Sequence, residues 1–365
     1  MSWLLVFLGF CLLIMLHEAG HFVAAKATGM RVERFFLFFG PTIWSFKRGE
    51  TEYGVKSIPL GGYVKINGMN PEEEMPPGEE HRAYYRQKVW KRILVVAAGP
   101  AVNIVLAFVI LYFVLAVGGL ARPNQSVSET TPNSAAAQVL QKGDEVVAID
   151  GNRYPGIGVE ARLRKFKKLV SSHECAGKPV QGCKAQTPLQ LTFRRDGELQ
   201  TIPVSPRYDA KEKRNLIGFS YGEKFEPVSA ETAVNHSLDA IWEVTSRTAT
   251  IFARIFDSNE RKEISGVVGT SDVGHQAVEA GWRKALLLLA LVSLSLGLVN
   301  LLPILPLDGG HIFWAIVEKL RRGRPVSLRV MERASVVGFA LVAMLFFIGL
   351  SNDIGRITGE GFNVR

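Results

Sequence analysis

Two histidines four residues apart, with a glutamate beside the first, stand in a stretch that is otherwise free of charge. His17-Glu18-Ala19-Gly20-His21 lies within residues 3–25, where Glu18 is the one formally charged side chain. On a helix, residues four apart share a face, so both imidazoles reach the same cation with Glu18 next to them. Imidazoles at this spacing hold zinc, and an adjacent carboxylate can take the proton of a water, which is the chemistry of metal-assisted hydrolysis. The rival reading, a helix with two surface histidines, needs water around it, and this segment is apolar. A charge in such surroundings is expensive unless it has a task.

A catalytic zinc site uses three protein ligands and keeps one position open. The best third ligand is Asp308, the one acid between Lys284 and Glu318, in Asn300-Leu301-Leu302-Pro303-Ile304-Leu305-Pro306-Leu307-Asp308-Gly309-Gly310-His311. Its rival role is as a helix-capping aspartate serving Gly310 and His311, and His311 is itself an alternative ligand or an outer partner. Helical rise places His21 about 7.5 Å and His17 about 13.5 Å from Lys26, and Asp308 within about 16 Å of Lys319. The metal is therefore expected roughly 10 Å inside the hydrocarbon from the cytoplasmic face, reached by a polar channel or cleft. Glu18 would take a proton from water and hand it to the leaving amine. Asn103, after Gly99-Pro100, and Asn300 have two readings: helix-to-helix hydrogen bonds, or contacts to the substrate backbone and oxyanion.

The elements that must position these groups are largely membrane-spanning. The chain has 365 residues, of which 47% are hydrophobic, room for two or three domains. Leu4–Leu16, Ile93–Val117, Ala285–Leu302 and Val336–Leu350 are nearly charge-free, each near the ~20 residues a bilayer requires. The third is short and runs into Pro303 and Pro306. The first lacks the basic start of a cleaved signal peptide. The net charge of +9 comes without a basic stripe interleaved with aromatics, which argues against nucleic acid. Lys319, Arg321, Arg322, Arg324 and Arg329 follow the third span with no acid among them, so that loop is expected in the cytoplasm. Both termini and residues 118–284 then lie outside, and 26–92 inside.

The expected fold class is a polytopic α-helical membrane protein with four transmembrane helices, a re-entrant β-hairpin sheet and an extracytoplasmic α+β domain. The expected division is 1–119 (two spans, with the hairpin at 34–66), 120–210 (the α+β domain), 211–283 (an amphipathic connection) and 284–365 (two spans). In the hairpin, Thr42–Phe46 and Glu52–Ile58 read as strands, and strands in hydrocarbon survive where protein or a cavity covers them. The alternative is a hairpin lying on the membrane surface. Residues 70–83, with Glu72, Glu73, Glu74, Glu79 and Glu80, read as a solvated linker or lid whose His81 is exposed. In the α+β domain a short helix over Ser134–Leu140, strands Glu145–Ile149, Leu189–Arg194 and Gln200–Val204, and a basic helix over 158–169 are expected. Ala230–Phe256 has hydrophobes at helical spacing, whereas Ile264–Gly274 is glycine-rich and reads as irregular. His173, His236 and His275 are assigned to the surface. Cys175 and Cys183 form a local disulfide or stay two free thiols.

These motifs resemble the site-2 protease family of intramembrane zinc metalloproteases, and more closely its bacterial RseP-like branch, which cuts membrane-bound anti-sigma factors. His17, Glu18 and His21 match the HExxH, Asp308 the aspartate of the Asn-x-x-Pro-x-Pro-x-x-Asp-Gly motif, Pro59–Lys65 the membrane-associated hairpin, and Gly99-Pro100-x-x-Asn103 the second-span signature. The resemblance implies a zinc endopeptidase of the bacterial cell membrane. It would act on single-pass transmembrane substrates already trimmed outside, with zinc on His17, His21 and Asp308 and Glu18 catalytic. It also implies a single PDZ domain at 120–210 that filters substrates by size. Asn103 and Asn300 would lie near the substrate strand, and the hairpin, with Gly61, Gly62 and Tyr63, would present that strand by edge pairing. The sequence departs from the family in carrying Leu305 where the second proline is usual, with Pro306 after it, and in an inserted stretch, Ser171–Gln186. A transporter using the same groups as an ion path, and a scaffold with a structural metal, are the rival classes.

Overall fold

The computed structural model describes residues 1–70, 73, 75–210, 212–254, 266–324 and 326–358. Glu72 and Glu74 of the expected linker, and Ile255, Phe256 and Ile264, lie outside the described residues. In chain order the helices are α1 (Ser2–Ala27), α2 (Val89–Gly118), α3 (Val159–Ser172), α4 (Ala230–Ala253), α5 (Val267–Glu279), α6 (Trp282–Asn300), α7 (Asp308–Leu320) and α8 (Leu328–Thr358). The strands are β1 (Val32–Arg48), β2 (Thr51–Ile66), β3 (Leu120–Thr130), β4 (Glu145–Ile149), β5 (Leu189–Arg195), β6 (Glu198–Val204), β7 (Arg207–Asp209), β8 (Arg214–Leu216) and β9 (Phe219–Glu226). They form two units, residues 1–117 with 229–365, and residues 118–228.

In the first unit α1, α2, α6 and Arg329–Gly355 of α8 are long and apolar enough to cross a membrane. They coincide with the four expected spans, and the chain is a multi-pass membrane protein. α1 continues past Leu16 to Ala27, so the His17–His21 motif rides on it. Leu13, His17 and Gly20 are buried at steps of four and three, one face of the helix. Leu4, Leu5, Leu8 and Leu12 are exposed, as a lipid-facing surface would be.

β1 and β2 are longer than the strands expected within 34–66, and β1 is used twice. Its first half pairs with the end of β2, from Val32↔Ile66 to Leu37↔Gly62, while on its other side pair numbers rise together from Arg34↔Glu52 to Leu37↔Val55. Its second half pairs with the start of β2, from Thr42↔Lys56 to Arg48↔Thr51. Phe38 and Gly40, at φ 74° and 85°, divide the two halves. The turn at Glu50 is tied down: its carboxylate accepts from Lys26 Nζ at 2.5 Å and from Arg82 Nη1 and Nη2 at 2.6 and 2.8 Å.

α4 follows the expected amphipathic stretch, starting on a Ser229 side chain that accepts from the Thr232 N–H and packing Ile241 and Val244 against Ala290 and Leu294 of α6. The expected irregular stretch before Gly274 is instead helical. α5 forms because Asp353, fully buried on α8, accepts from the N–H groups of Gly266 at 3.1 Å and Gly269 at 2.8 Å. A carboxylate at a helix start satisfies donors with no intrahelical partner; here it comes from 84 residues away.

The second unit is a five-stranded sheet in the order β6-β5-β4-β3-β9. Its core joins Val127, Val146, Ile149, Leu189, Leu191 and Phe193 of the sheet to Leu163 and Phe166 of α3. The expected helix over Ser134–Leu140 is a single 3-10 turn, Ala136–Gln138. The expected boundary at residue 210 falls inside this unit, because β9 pairs with β3 from Leu120↔Glu226 to Thr130↔Phe219. Arg195 clamps Asp144 with Nε to Oδ1 at 2.9 Å and Nη2 to Oδ2 at 2.6 Å. Cys175 and Cys183 are disulfide-bonded. His173, expected at the surface, has its ring on Asp150 at 2.8 Å and its other nitrogen beside Thr187 at 3.0 Å. It thereby ties the inserted stretch to the sheet.

Candidate metal centre

α1 brings His17 and His21 together, and α7 delivers Asp308. His17 Nε2 and His21 Nε2 are 3.3 Å apart, and each lies 3.3 Å from Asp308 Oδ2. The three atoms form a nearly equilateral triangle. Bonds of about 2.0–2.1 Å to a tetrahedral zinc imply ligand-to-ligand edges of roughly 3.3 Å, so the triangle has the dimensions the ion requires. Asp308 Oδ2 is buried without a hydrogen-bond partner, an expensive arrangement that a cation would relieve. His311 stands outside the cluster formed by these three residues.

Close backbone approaches make this convergence possible. α1 crosses α2 at glycines: a Cβ on Gly20 would lie 2.6 Å from the Ala98 carbonyl oxygen, and one on Gly99 would lie 2.3 Å from His21 Nε2. His21 Nδ1 donates to the Val95 carbonyl at 2.9 Å, which leaves the Nε2 lone pair for a metal. The chain between α6 and α7 folds back so tightly that a Cβ on Gly309 would meet the Leu301 oxygen at 2.2 Å, and one on Gly310 the Leu305 nitrogen at 2.5 Å. Gly338 of α8 backs the same loop, with no room for a Cβ beside the Leu305 oxygen. Arg92 at the start of α2 pairs with Glu318 of α7 at 2.6 Å, holding the Asp308 helix in place.

A cavity of about 400 Å³ opens on the triangle, lined among others by Glu18, Gly61, Gly62, Val64, Asn300 and Pro306. Glu18 is half-buried, with the Val64 backbone beside it. Gly62 presses on it so closely that a Cβ would lie 2.3 Å from Glu18 Cγ. Among the residues expected to position substrate, Asn300, Gly61 and Gly62 line the cavity, and Tyr63 and Asn103 do not. Tyr63 packs against Phe39 at 6.3 Å and under Lys56 at 4.8 Å. Asn103 is fully buried behind His17, its amide 3.3 Å from His17 Nδ1. Sequence reasoning missed Val95, whose role is a backbone oxygen with no sequence signal, and the Arg92–Glu318 pair, which only a contact across 226 positions reveals.

The model of peptidase family M50 matches residues 5–345. The chain belongs to peptidase family M50. The zinc metalloprotease Rip1 of Mycolicibacterium smegmatis is 32% identical over 399 residues, covering 93% of this chain and 94% of that protein. Rip1 of Mycobacterium tuberculosis is 32% identical over 386 residues with the same coverage, and a putative zinc metalloprotease of Campylobacter jejuni is 30% identical over 368 residues. A solved PDZ domain of an SdrC-like protein from Listeria monocytogenes covers 28% of this chain at 17% identity and TM-score 0.21, a likeness too slight to argue from. Family membership and the His17–His21–Asp308 cluster together make this M50 chain a zinc metalloprotease.

Proposed function

We propose that this M50 protease is an intramembrane endopeptidase that cuts single-pass membrane proteins in or near their transmembrane segments. The observation that carries the reading is the triangle of His17, His21 and Asp308 with Glu18 on the same cavity, its two histidines carried by a helix of membrane-spanning length. Zinc held there supplies Lewis acidity that polarises a peptide carbonyl and acidifies water. Glu18 takes the proton and returns it to the leaving amine. Val64, Ile66, Leu296 and Pro306 give the cavity apolar walls, which suit the side chains of a membrane segment.

A substrate helix must open before attack, because its carbonyls are internally bonded. The end of β2, with Gly61 and Gly62 at the cavity, offers an edge on which an opened strand can pair, and Asn300, on the cavity wall, would hold it. The sheet of β1 and β2 is read as re-entrant: its first half packs on α1, with Phe22 5.3 Å from Phe35 and 5.8 Å from Tyr53, and residues 39–49 are exposed. The basic loop after α7 supports a reading in which the metal lies toward the cytoplasm of a bacterial cell membrane and residues 118–284 lie outside. The unit at 118–228 is read as a PDZ domain that admits substrates already shortened outside. Anti-sigma factors, cut a second time here, are the substrate class that the family resemblance favours.

The test is Glu18→Gln in full-length protein reconstituted with a single-span reporter. Zinc content should stay at the wild-type level while cleavage falls by roughly 10²–10⁴-fold. Unchanged cleavage would sink the protease reading of Glu18, and metal-dependent ion flux without a product peptide would favour a transporter.

A further inference from the structure

His17 and His21 are held by one face of α2. Val95, Gly99 and Asn103 recur every four residues, so they form one stripe along that helix. Val95 contributes its carbonyl oxygen to His21 Nδ1 at 2.9 Å, Gly99 leaves room for the His21 ring, and Asn103 places its amide 3.3 Å from His17 Nδ1. The stripe is pinned from behind: Ser293 Oγ of α6 donates to the Asn103 backbone oxygen at 2.9 Å, and a Cβ on Gly297 would lie 3.3 Å from Asn103 Cβ. Asn103 is 0% exposed and lies behind His17, off the cavity wall.

A neutral imidazole has one N–H and one lone pair. His17 Nε2 points at the ligand triangle, 3.3 Å from Asp308 Oδ2. For Nε2 to offer its lone pair, the proton must sit on Nδ1 and needs an acceptor there. With the amide nitrogen facing Nδ1, two donors would confront each other, while Asn103 Oδ1 stays buried without a partner. The ends of an amide are alike in size, and exchanging them satisfies both groups at once.

We infer that Asn103 is a positioning residue: its carbonyl oxygen accepts the Nδ1–H of His17 and so selects the tautomer that presents Nε2 to zinc. The residue acts on metal affinity, through His17, and not on substrate. This rests on the His17–His21–Asp308 metal site. Removing a similar outer partner from other metal sites costs roughly tenfold to a hundredfold in metal affinity or activity.

The experiment measures zinc retention against a competing chelator, and the visible spectrum after cobalt substitution, in detergent-solubilised full-length protein. Asn103→Leu, which keeps the volume and removes the acceptor, should weaken zinc roughly tenfold to a hundredfold and alter the cobalt spectrum. Asn103→Asp, which keeps an acceptor and removes the donor, should bind zinc within about threefold of wild type, since carboxylates orient zinc-binding histidines in the same way. Wild-type zinc affinity in Asn103→Leu, with or without a raised KM, overturns the inference in favour of a packing or substrate role. Loss of zinc in Asn103→Asp overturns it as well, and that arm decides alone if Asn103→Leu does not fold. Asp308→Ala is the control on the underlying site: if it leaves zinc affinity unchanged, the metal site itself is wrong, whatever Asn103 does.

Discussion

Two glycines touch the reacting groups, and each guards a different one. Gly99 lies under His21 and Gly62 under Glu18, with room for a Cβ at neither. Gly99→Ala should push His21 out of the ligand triangle and weaken zinc by about tenfold or more, read by chelator competition. Gly62→Ala should leave zinc in place and shift Glu18. A displacement near 1 Å typically costs about 10²-fold in rate, which a reporter cleavage assay measures. If both variants lost zinc equally, the separation of metal-holding and proton-moving groups drawn here would be wrong.

Between helices, the third ligand depends on contacts far from the metal. Arg92 and Glu318 are both largely buried, with side chains 9% and 20% exposed, and they join α2 to the helix that carries Asp308. Removing one partner leaves a buried charge unpaired, a loss of about 3–5 kcal/mol in comparable pairs. Arg92→Met should therefore lower the unfolding temperature and weaken zinc together, and Arg92→Glu combined with Glu318→Arg should recover part of both. A similar long-range contact makes α5 a helix. Asp353→Ala removes the acceptor for Gly266 and Gly269, and loss of such a cap costs about 1–2 kcal/mol. Hydrogen exchange should quicken at residues 268–271 and stay unchanged in β4.

At the scale of the whole first unit, an ionic latch joins the end of α1, the β1–β2 turn and the segment before α2. Lys26 and Arg82 converge on Glu50, and Arg82 also donates to Glu79 at 3.0 Å. The Arg82 hydrogen bonds, with help from Lys26, bring the Glu50 carboxyl down from 4.5 to about 2. A depressed carboxyl favours folding above its unfolded value, and that contribution fades as pH falls toward the folded value. The latch should thus hold at neutral pH and loosen between about pH 4.5 and 2. Limited acid proteolysis near residues 79–86 checks this, with Glu50→Gln expected to expose the same bonds at neutral pH. The same unit should prefer substrates whose spans carry proline or glycine, since these open a helix. Equal cutting of reporters with and without such breakers would count against strand pairing on β2.

Much of this molecule was legible from the chain alone because the relevant signals are local. Spacing on one helix put His17, Glu18 and His21 together, hydropathy marked four spans, and the absence of other acids between Lys284 and Glu318 singled out Asp308. What stayed hidden depends on partners distant in sequence. The glycine-rich stretch before Gly274 is a helix because Asp353 caps it, the second unit runs past residue 210 because β9 finds β3, and Asn103 faces His17 because α2 crosses α1 at Gly20 and Gly99. Residue types and intervals along one element declare which atoms can bind a metal. The backbone approaches and orienting hydrogen bonds that turn those atoms toward one point exist only once separate helices have packed.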